Sequence, residues 1–174
     1  MKLKVGLLGG GSWGTTVASL TAKNSSTIIW ARNPKTVEEI NEHHTNEKYL
    51  PNAKLTTSLK ASNSIKETVE EADVIVMGVP AQSFRKVLEE AKPHIRPWIP
   101  IINLAKGLEI STKMRMTEII QAGYKSGAFR YVDSDLKVDL PQGSVELDRE
   151  RIADLGLDLA SVGRELGVLL GGGY

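Results

Sequence analysis

The sequence predicts an α/β protein built on a parallel β-sheet with helices on both faces, and three observations predict it. Short apolar runs recur at 4–8, 27–30, 73–79 and 100–104. Stretches with apolar residues at helical spacing separate them. The first run stops at a cluster of glycines, Gly9, Gly10 and Gly11. Strands alternating with helices imply right-handed crossovers and a sheet covered on both sides.

The elements follow in order. Lys4-Val5-Gly6-Leu7-Leu8 reads as a buried parallel strand, and residues 13–23 as a helix carrying Val17 and Leu20. Thr27-Ile28-Ile29-Trp30 is the second strand, and Asn33-Pro34 signals a turn and a helix start. Thr36 to His43 is expected to be helical, with Val37 and Ile40 three apart. A polar, irregular region runs through Tyr49-Leu50-Pro51, and Leu55-Thr56-Thr57 is expected as a short strand. Asn63 is the expected cap of a helix over Ile65–Glu71. Asp73 to Val79 is the clearest buried strand, ended by Pro80, and a helix from Gln82 to Ala91 stops before Pro93. Pro100 to Leu104 is the next strand, and Ser111 is the expected cap of a helix running to Ala122.

Gly9-Gly10-Gly11-Ser12-Trp13-Gly14 contains G-x-G-x-x-G through Gly9, Gly11 and Gly14. In a dinucleotide fingerprint the first glycine permits a tight turn off the strand and the second lets pyrophosphate approach the backbone. The third lets the helix pack closely on the sheet. The helix N-terminus then offers N–H groups and a positive dipole end to the phosphates. The motif follows the first strand, opens a helix and leads to a second strand, which is its confirming context. The expected fold is therefore a Rossmann-type parallel sheet, completed or extended by a C-terminal α/β segment. At the end of the second strand, NAD-specific sites place an acid on the ribose hydroxyls. Here no acid stands between Thr15 and Val37, and Arg32 and Asn33 occupy the position. Arg32 could pair with a 2′-phosphate, so NADP or NAD is expected, NADP slightly favoured. An exposed arginine solvating a turn is the alternative.

Composition bounds the function classes. The 174 residues include no Cys, which excludes disulfides, zinc–thiolate sites, iron–sulfur clusters and thiol nucleophiles. A net charge of +1 gives no reason to expect nucleic acid or an anionic membrane as partner. No apolar run approaches membrane-helix length, and Met1–Gly6 runs directly into a strand pattern, so a cytoplasmic location without a signal peptide is expected. Residue usage changes near residue 122. Before it there is one Asp among twelve acids, with seven Asn and twelve Ile. After it Asp outnumbers Glu six to three, Asn is absent and Ile152 is the single Ile. The expected organisation is a dinucleotide-binding unit over 1–121 and a grafted α/β segment over 122–174, natural or engineered.

The residues Gly9–Gly14, Trp30-Ala31-Arg32, Tyr49-Leu50-Pro51, Val79-Pro80-Ala81-Gln82 and Ala105-Lys106-Gly107-Leu108-Glu109 resemble those of the bacterial NAD(P)-dependent glycerol-3-phosphate dehydrogenase family. The resemblance runs to about Gln121. It implies that Ser12, Trp13, Arg32, Asn33, Tyr49 and Lys106 contact the cofactor, and that Lys106 also reaches the substrate phosphate or hydroxyl. In that family a further helical domain supplies a lysine general base and most of the substrate pocket, and nothing after Gln121 resembles it.

Residues 126–174 resemble a porter-domain segment of resistance–nodulation–division efflux transporters, through Asp135-Leu136-Lys137, Leu140-Pro141-Gln142 and Asp148-Arg149-Glu150-Arg151. The porter segment carries no proton-relay residue. Residues 128–138 and 143–148 can form strands, and Asp158 can cap a helix with Leu159, Val162, Leu166 and Leu169 on one face. Such a segment would cover the sheet edge, and an edge left open could pair copies of the chain into a homo-oligomer. His43, His44 and His94 lack metal-site spacing, and Asp133, Asp135 and Asp139 lack a calcium-loop pattern, so no metal site is expected. Glu146, Asp148 and Glu150 stand beside Arg149 and Arg151 and read as surface ion pairs. The resulting expectation is a chimeric protein with a residual dinucleotide site and no turnover. An active glycerol-3-phosphate dehydrogenase is the alternative.

Overall fold

The structure, a computed structural model, describes residues 2–125, 149–154, 156, 158 and 160–165. Among these residues five strands form one sheet: β1 (Lys4–Leu8), β2 (Ser26–Trp30), β3 (Lys60–Ser62), β4 (Val74–Met77) and β5 (Ile101–Asn103). Every pairing is parallel and the spatial order is β3-β2-β1-β4-β5. This is the Rossmann order, in which the chain leaves β1 in one direction and returns on its other side at β4. Carboxyl ends of all five strands therefore lie along one edge.

Side-chain alternation along the strands builds a core on each face. Val5 and Leu7 of β1, Ile29 of β2 and Val76 of β4 join Ala18 and Ala22, from helix α1 (Ser12–Thr21) and its end, on one face. Leu8, Trp30, Ile75 and Met77 point to the other. There they meet helices α3 (Ile65–Val69), α4 (Ala81–Ala91) and α5 (Met116–Lys125). Helix α2 (Pro34–Glu38) passes into a π-helical turn, Glu39–His43, whose Ile40 is buried in the first cluster.

Several expectations shift. The strand expected at Leu55–Thr57 lies instead at Lys60–Ser62, fixed by pairing Ile28–Trp30 with Lys60–Ser62. Ser64, not Asn63, caps α3 and accepts from Glu67 N–H at 3.2 Å. The Asn63 carbonyl accepts from the Trp30 indole. The helix expected from Ser111 begins at Met116, after a turn in which Lys113 has φ 60°.

The chain divides into two compact units, Met1–Ser134 and Asp135–Tyr174. Within the second, helix α6 (Arg149–Asp154) is formed, and a helical stretch over 160–165 is capped as expected by Asp158, whose carboxylate accepts from the Ser161 N–H at 3.0 Å. The strands expected at 128–138 and 143–148, and the helix-face residues Leu159, Leu166 and Leu169, lie outside the described residues. So do most of the residues that carry the porter-domain resemblance. Among the described residues, no helix is long and apolar enough to cross a membrane.

Gly6 sets the spacing of α3 from the sheet, because a Cβ there would lie 2.3 Å from the Thr68 carbonyl oxygen. Gly6→Ala should cost about 1–3 kcal/mol through forced displacement of α3. Urea unfolding should show the loss, and an unchanged midpoint would mean that α3 is not held against β1 in solution.

Candidate functional site

The glycine loop leaves β1 at the switch point between β1 and β4. Gly9 has φ +134°, a conformation that residues with a Cβ rarely adopt, and its N–H donates to the Trp30 carbonyl at 3.1 Å. A Cβ on Gly14 would lie 2.0 Å from the Gly9 oxygen, so α1 packs on the strand end only because Gly14 has none. Gly11 differs from both. Its Cβ position has nothing within 4 Å. Gly11 also caps α1 without a side-chain hydrogen bond, and no acid lies in the first turn. The first turn of α1 thus has no side-chain cap for its N–H groups and no Cβ over its entry, which is the arrangement that accepts a pyrophosphate. On this observation the loop fits a dinucleotide.

The other expected residues surround this loop unevenly. The Ser12 hydroxyl donates to the Tyr49 carbonyl at 2.8 Å, so two residues 37 apart in sequence meet. Trp13 and Tyr49 are 62% and 40% exposed, large aromatic surfaces available to a ligand. Lys48 Nζ lies 5.3 Å from the Tyr49 ring centre. Arg32 is exposed just after β2. The Asn33 side chain is engaged locally, accepting from the Lys35 N–H at 3.0 Å as the cap of α2. Lys106 is exposed in the loop after β5, a strand that lies two places, about 10 Å, from β1 in the sheet.

Two groups of residues hold these loops and have no counterpart among the sequence-predicted site residues. Asn46 is fully buried, and its Nδ2 donates to the Gly10 carbonyl at 3.1 Å and to Thr15 Oγ1 at 2.9 Å. The second group fixes the Lys106 loop to α4. Gln82 Nε2 donates to the Leu108 carbonyl at 2.9 Å, and Gln82 Oε1 accepts from the Ile110 N–H at 3.1 Å. Arg85 makes a forked pair with Glu109, Nε to Oε1 at 2.9 Å and Nη2 to Oε2 at 2.8 Å. Glu109 also accepts from the Thr112 hydroxyl. Gln82 and Glu109 stood in recognisable motifs, but no local spacing pairs them. Asn46 carried no signal at all.

The comparisons with known proteins decide the family. The NAD-dependent glycerol-3-phosphate dehydrogenase N-terminus family matches residues 4–132. The chain belongs to that family. A Sphingopyxis alaskensis protein named as an NAD(P)+ glycerol-3-phosphate dehydrogenase is 57% identical over 121 residues, 70% of this chain and 36% of that one. The Bacillus subtilis glycerol-3-phosphate dehydrogenase is 40% identical over 119 residues, 68% of this chain and 34% of that one. The crystal structure of the Coxiella burnetii glycerol-3-phosphate dehydrogenase superposes with a TM-score of 0.63 at 30% identity, over 70% of this chain and 37% of that one. The chain spans about a third of the length of the curated relatives it matches.

The family match corrects the expectation of a chimeric protein without turnover. The matched region, residues 4–132, extends past the composition change at residue 122. Residue usage in a short segment reports no backbone path, whereas the match does. That expectation also rested on the missing helical domain, and a family described as the enzyme's N-terminus does not include one.

The Arg85–Glu109 pair makes a testable contribution. Hydrogen bonds from Arg85 and then Thr112 lower the Glu109 carboxyl from the usual 4.5 to about 2, against an opposing effect of burial. In the window between those values the unfolded chain takes up a proton that the folded chain does not. Stability from this pair is therefore present above about pH 4.5 and lost as the pH falls toward 2. Urea midpoints should decline across that window, and less steeply in Glu109→Gln. Parallel declines would remove the pair as the cause.

Proposed function

We propose that these residues form the cofactor-binding part of a cytoplasmic NAD(P)-dependent glycerol-3-phosphate dehydrogenase, which interconverts sn-glycerol 3-phosphate and dihydroxyacetone phosphate. The observation that carries the reading is the open Gly11 position at the head of α1, at the β1–β4 switch point, in a chain of this family. The nicotinamide supplies or receives hydride. Gly11 admits the pyrophosphate to the backbone, Gly9 and Gly14 form the turn and helix packing that present it, and Ser12, Trp13 and Tyr49 border it. Arg32 and Asn33 stand at the adenosine ribose, where an arginine with no neighbouring acid favours NADP over NAD. Lys106, on the same sheet edge, binds the cofactor and the substrate phosphate or hydroxyl. In this reading the dinucleotide-binding unit covers 1–121 and the segment 122–174 follows it, with α5 (Met116–Lys125) running across the join.

Two measurements test it. Titration calorimetry should show NADPH and NADH binding, and Arg32→Asp should weaken NADPH by about tenfold or more while changing NADH far less. Equal losses would mean that Arg32 does not read the 2′-phosphate. For turnover, the chain joined to the remaining two thirds of the Sphingopyxis alaskensis relative should oxidise NADPH when dihydroxyacetone phosphate is added, and Lys106→Ala should abolish this. A folded, NADPH-binding fusion with no substrate-dependent oxidation would overturn the assignment of the reaction.

A further inference from the structure

We infer that Asn46 is a positioning residue for dinucleotide binding: by pinning the Gly10 carbonyl it turns the Gly11 N–H toward the phosphates. The inference rests on the reading of the glycine loop as a dinucleotide site and adds the residue that sets the loop's peptide orientation. No peptide bond among the described residues is cis. In a planar trans peptide the carbonyl and the following N–H point in opposite directions. The Gly10 oxygen is held inward at 3.1 Å from Asn46 Nδ2, and Asn46 is fully buried. The Gly11 N–H of the same peptide must then point away from Asn46, at a residue whose Cβ position is open, with nothing within 4 Å. Glycines at 10 and 11 let this peptide rotate at little steric cost, so it needs an external hold.

Two further observations separate this role from ordinary packing. Asn46 Oδ1 is buried with no hydrogen-bond partner, which costs stability and is not what a purely structural asparagine would leave. The turn that carries Asn46 is also built rigid. The Tyr49 and Leu50 N–H groups both donate to the Asn46 carbonyl, at 3.0 and 2.7 Å. The Ser12 hydroxyl closes the turn onto α1 through the Tyr49 carbonyl. One short segment thus fixes the Gly10–Gly11 peptide and places Tyr49 beside it.

The test compares Asn46→Asp and Asn46→Ser with Ser19→Ala. A carboxylate cannot donate to Gly10, and a serine hydroxyl is too short to reach it. Ser19, toward the end of α1, makes a comparable polar contact to Thr56 in the loop before β3. Affinities for ADP-ribose, NADH and NADPH are measured by calorimetry on the full chain, below the unfolding onset of each variant. Both Asn46 variants should lose about tenfold in affinity for all three ligands, with the NADPH-to-NADH ratio unchanged. Ser19→Ala should lower the melting temperature and leave the affinities within twofold. If Asn46→Asp does not fold, the serine variant decides. Parent-like affinity in a folded Asn46 variant, or a loss matched by Ser19→Ala, overturns the inference while the loop's assignment stands. A parent chain that binds none of the three overturns both.

Discussion

The cofactor edge depends on one steric constraint: at the switch point three backbone segments meet through Gly9, Gly14 and Gly78. A Cβ on Gly14 would strike the Gly9 oxygen, one on Gly9 would lie 2.6 Å from the Gly78 carbonyl carbon, and one on Gly78 would lie 3.2 Å from Gly14 Cα. The contacts form a closed ring, so widening any one of them displaces the other two. Because the ring is closed, the first turn of α1 sits directly above the ends of β1 and β4. The helix dipole and its uncapped N–H groups are thereby aimed into the crevice where the sheet order reverses.

Backbone proximity alone does not shape the loops above that ring, and side chains from distant parts of the sequence do the rest. His44 and Asn52 hold left-handed conformations, φ 52° and 61°, on either side of the Asn46 turn. For His44 this costs about 1–2 kcal/mol, and less for Asn52, since asparagine tolerates the region better. Glu39 offsets part of that cost, accepting from the Thr45 hydroxyl at 3.0 Å and the Glu47 N–H at 2.6 Å. Glu47 accepts in turn from the Asn52 N–H at 3.1 Å. Across the sheet, Gln82 does similar work for the loop after β5 by bonding the backbone as a neighbouring strand would. Both loops are therefore shaped without a ligand, which reduces the ordering cost that a ligand would otherwise meet on binding.

What the sequence made legible is what short-range physics decides. β1, β2 and β4 are apolar runs buried on both faces, β5 is an edge strand with Ile102 exposed, and all four sit where the apolar pattern put them. The glycine motif was readable because each glycine answers a local steric demand. β3 was not, since Lys60-Ala61-Ser62 has little strand preference of its own and exists by pairing with β2. The cap of α3 fell one residue from its expected place because Asn63 and Ser64 are both competent caps. The choice went to the serine that reaches Glu67 N–H, in a turn where the Ser62 hydroxyl also bonds Glu67. Asn46 and the Arg85–Glu109 pair were illegible for a different reason. Their partners lie 36 and 24 positions away, and no periodicity encodes such a contact.

The same distinction explains why residue usage misled and motif order did not. The five resembling motifs lie within the first 109 residues, yet the fold gathers them on one edge of the sheet. Gly9–Gly14 follows β1, Trp30–Arg32 ends β2, Tyr49–Pro51 closes over the glycine loop, Val79–Gln82 follows β4 and Ala105–Glu109 follows β5. Their side chains and backbones are bonded to one another, Ser12 to Tyr49 and Gln82 to Leu108, so each constrains the rest. Exposed positions elsewhere carry no such coupling, and substitutions there usually change stability by less than about 0.5 kcal/mol. Asp, Arg and Ile frequencies can therefore drift along a chain without altering its backbone. A set of mutually bonded motifs in fixed order cannot drift in that way, and it is the stronger record of what the chain is.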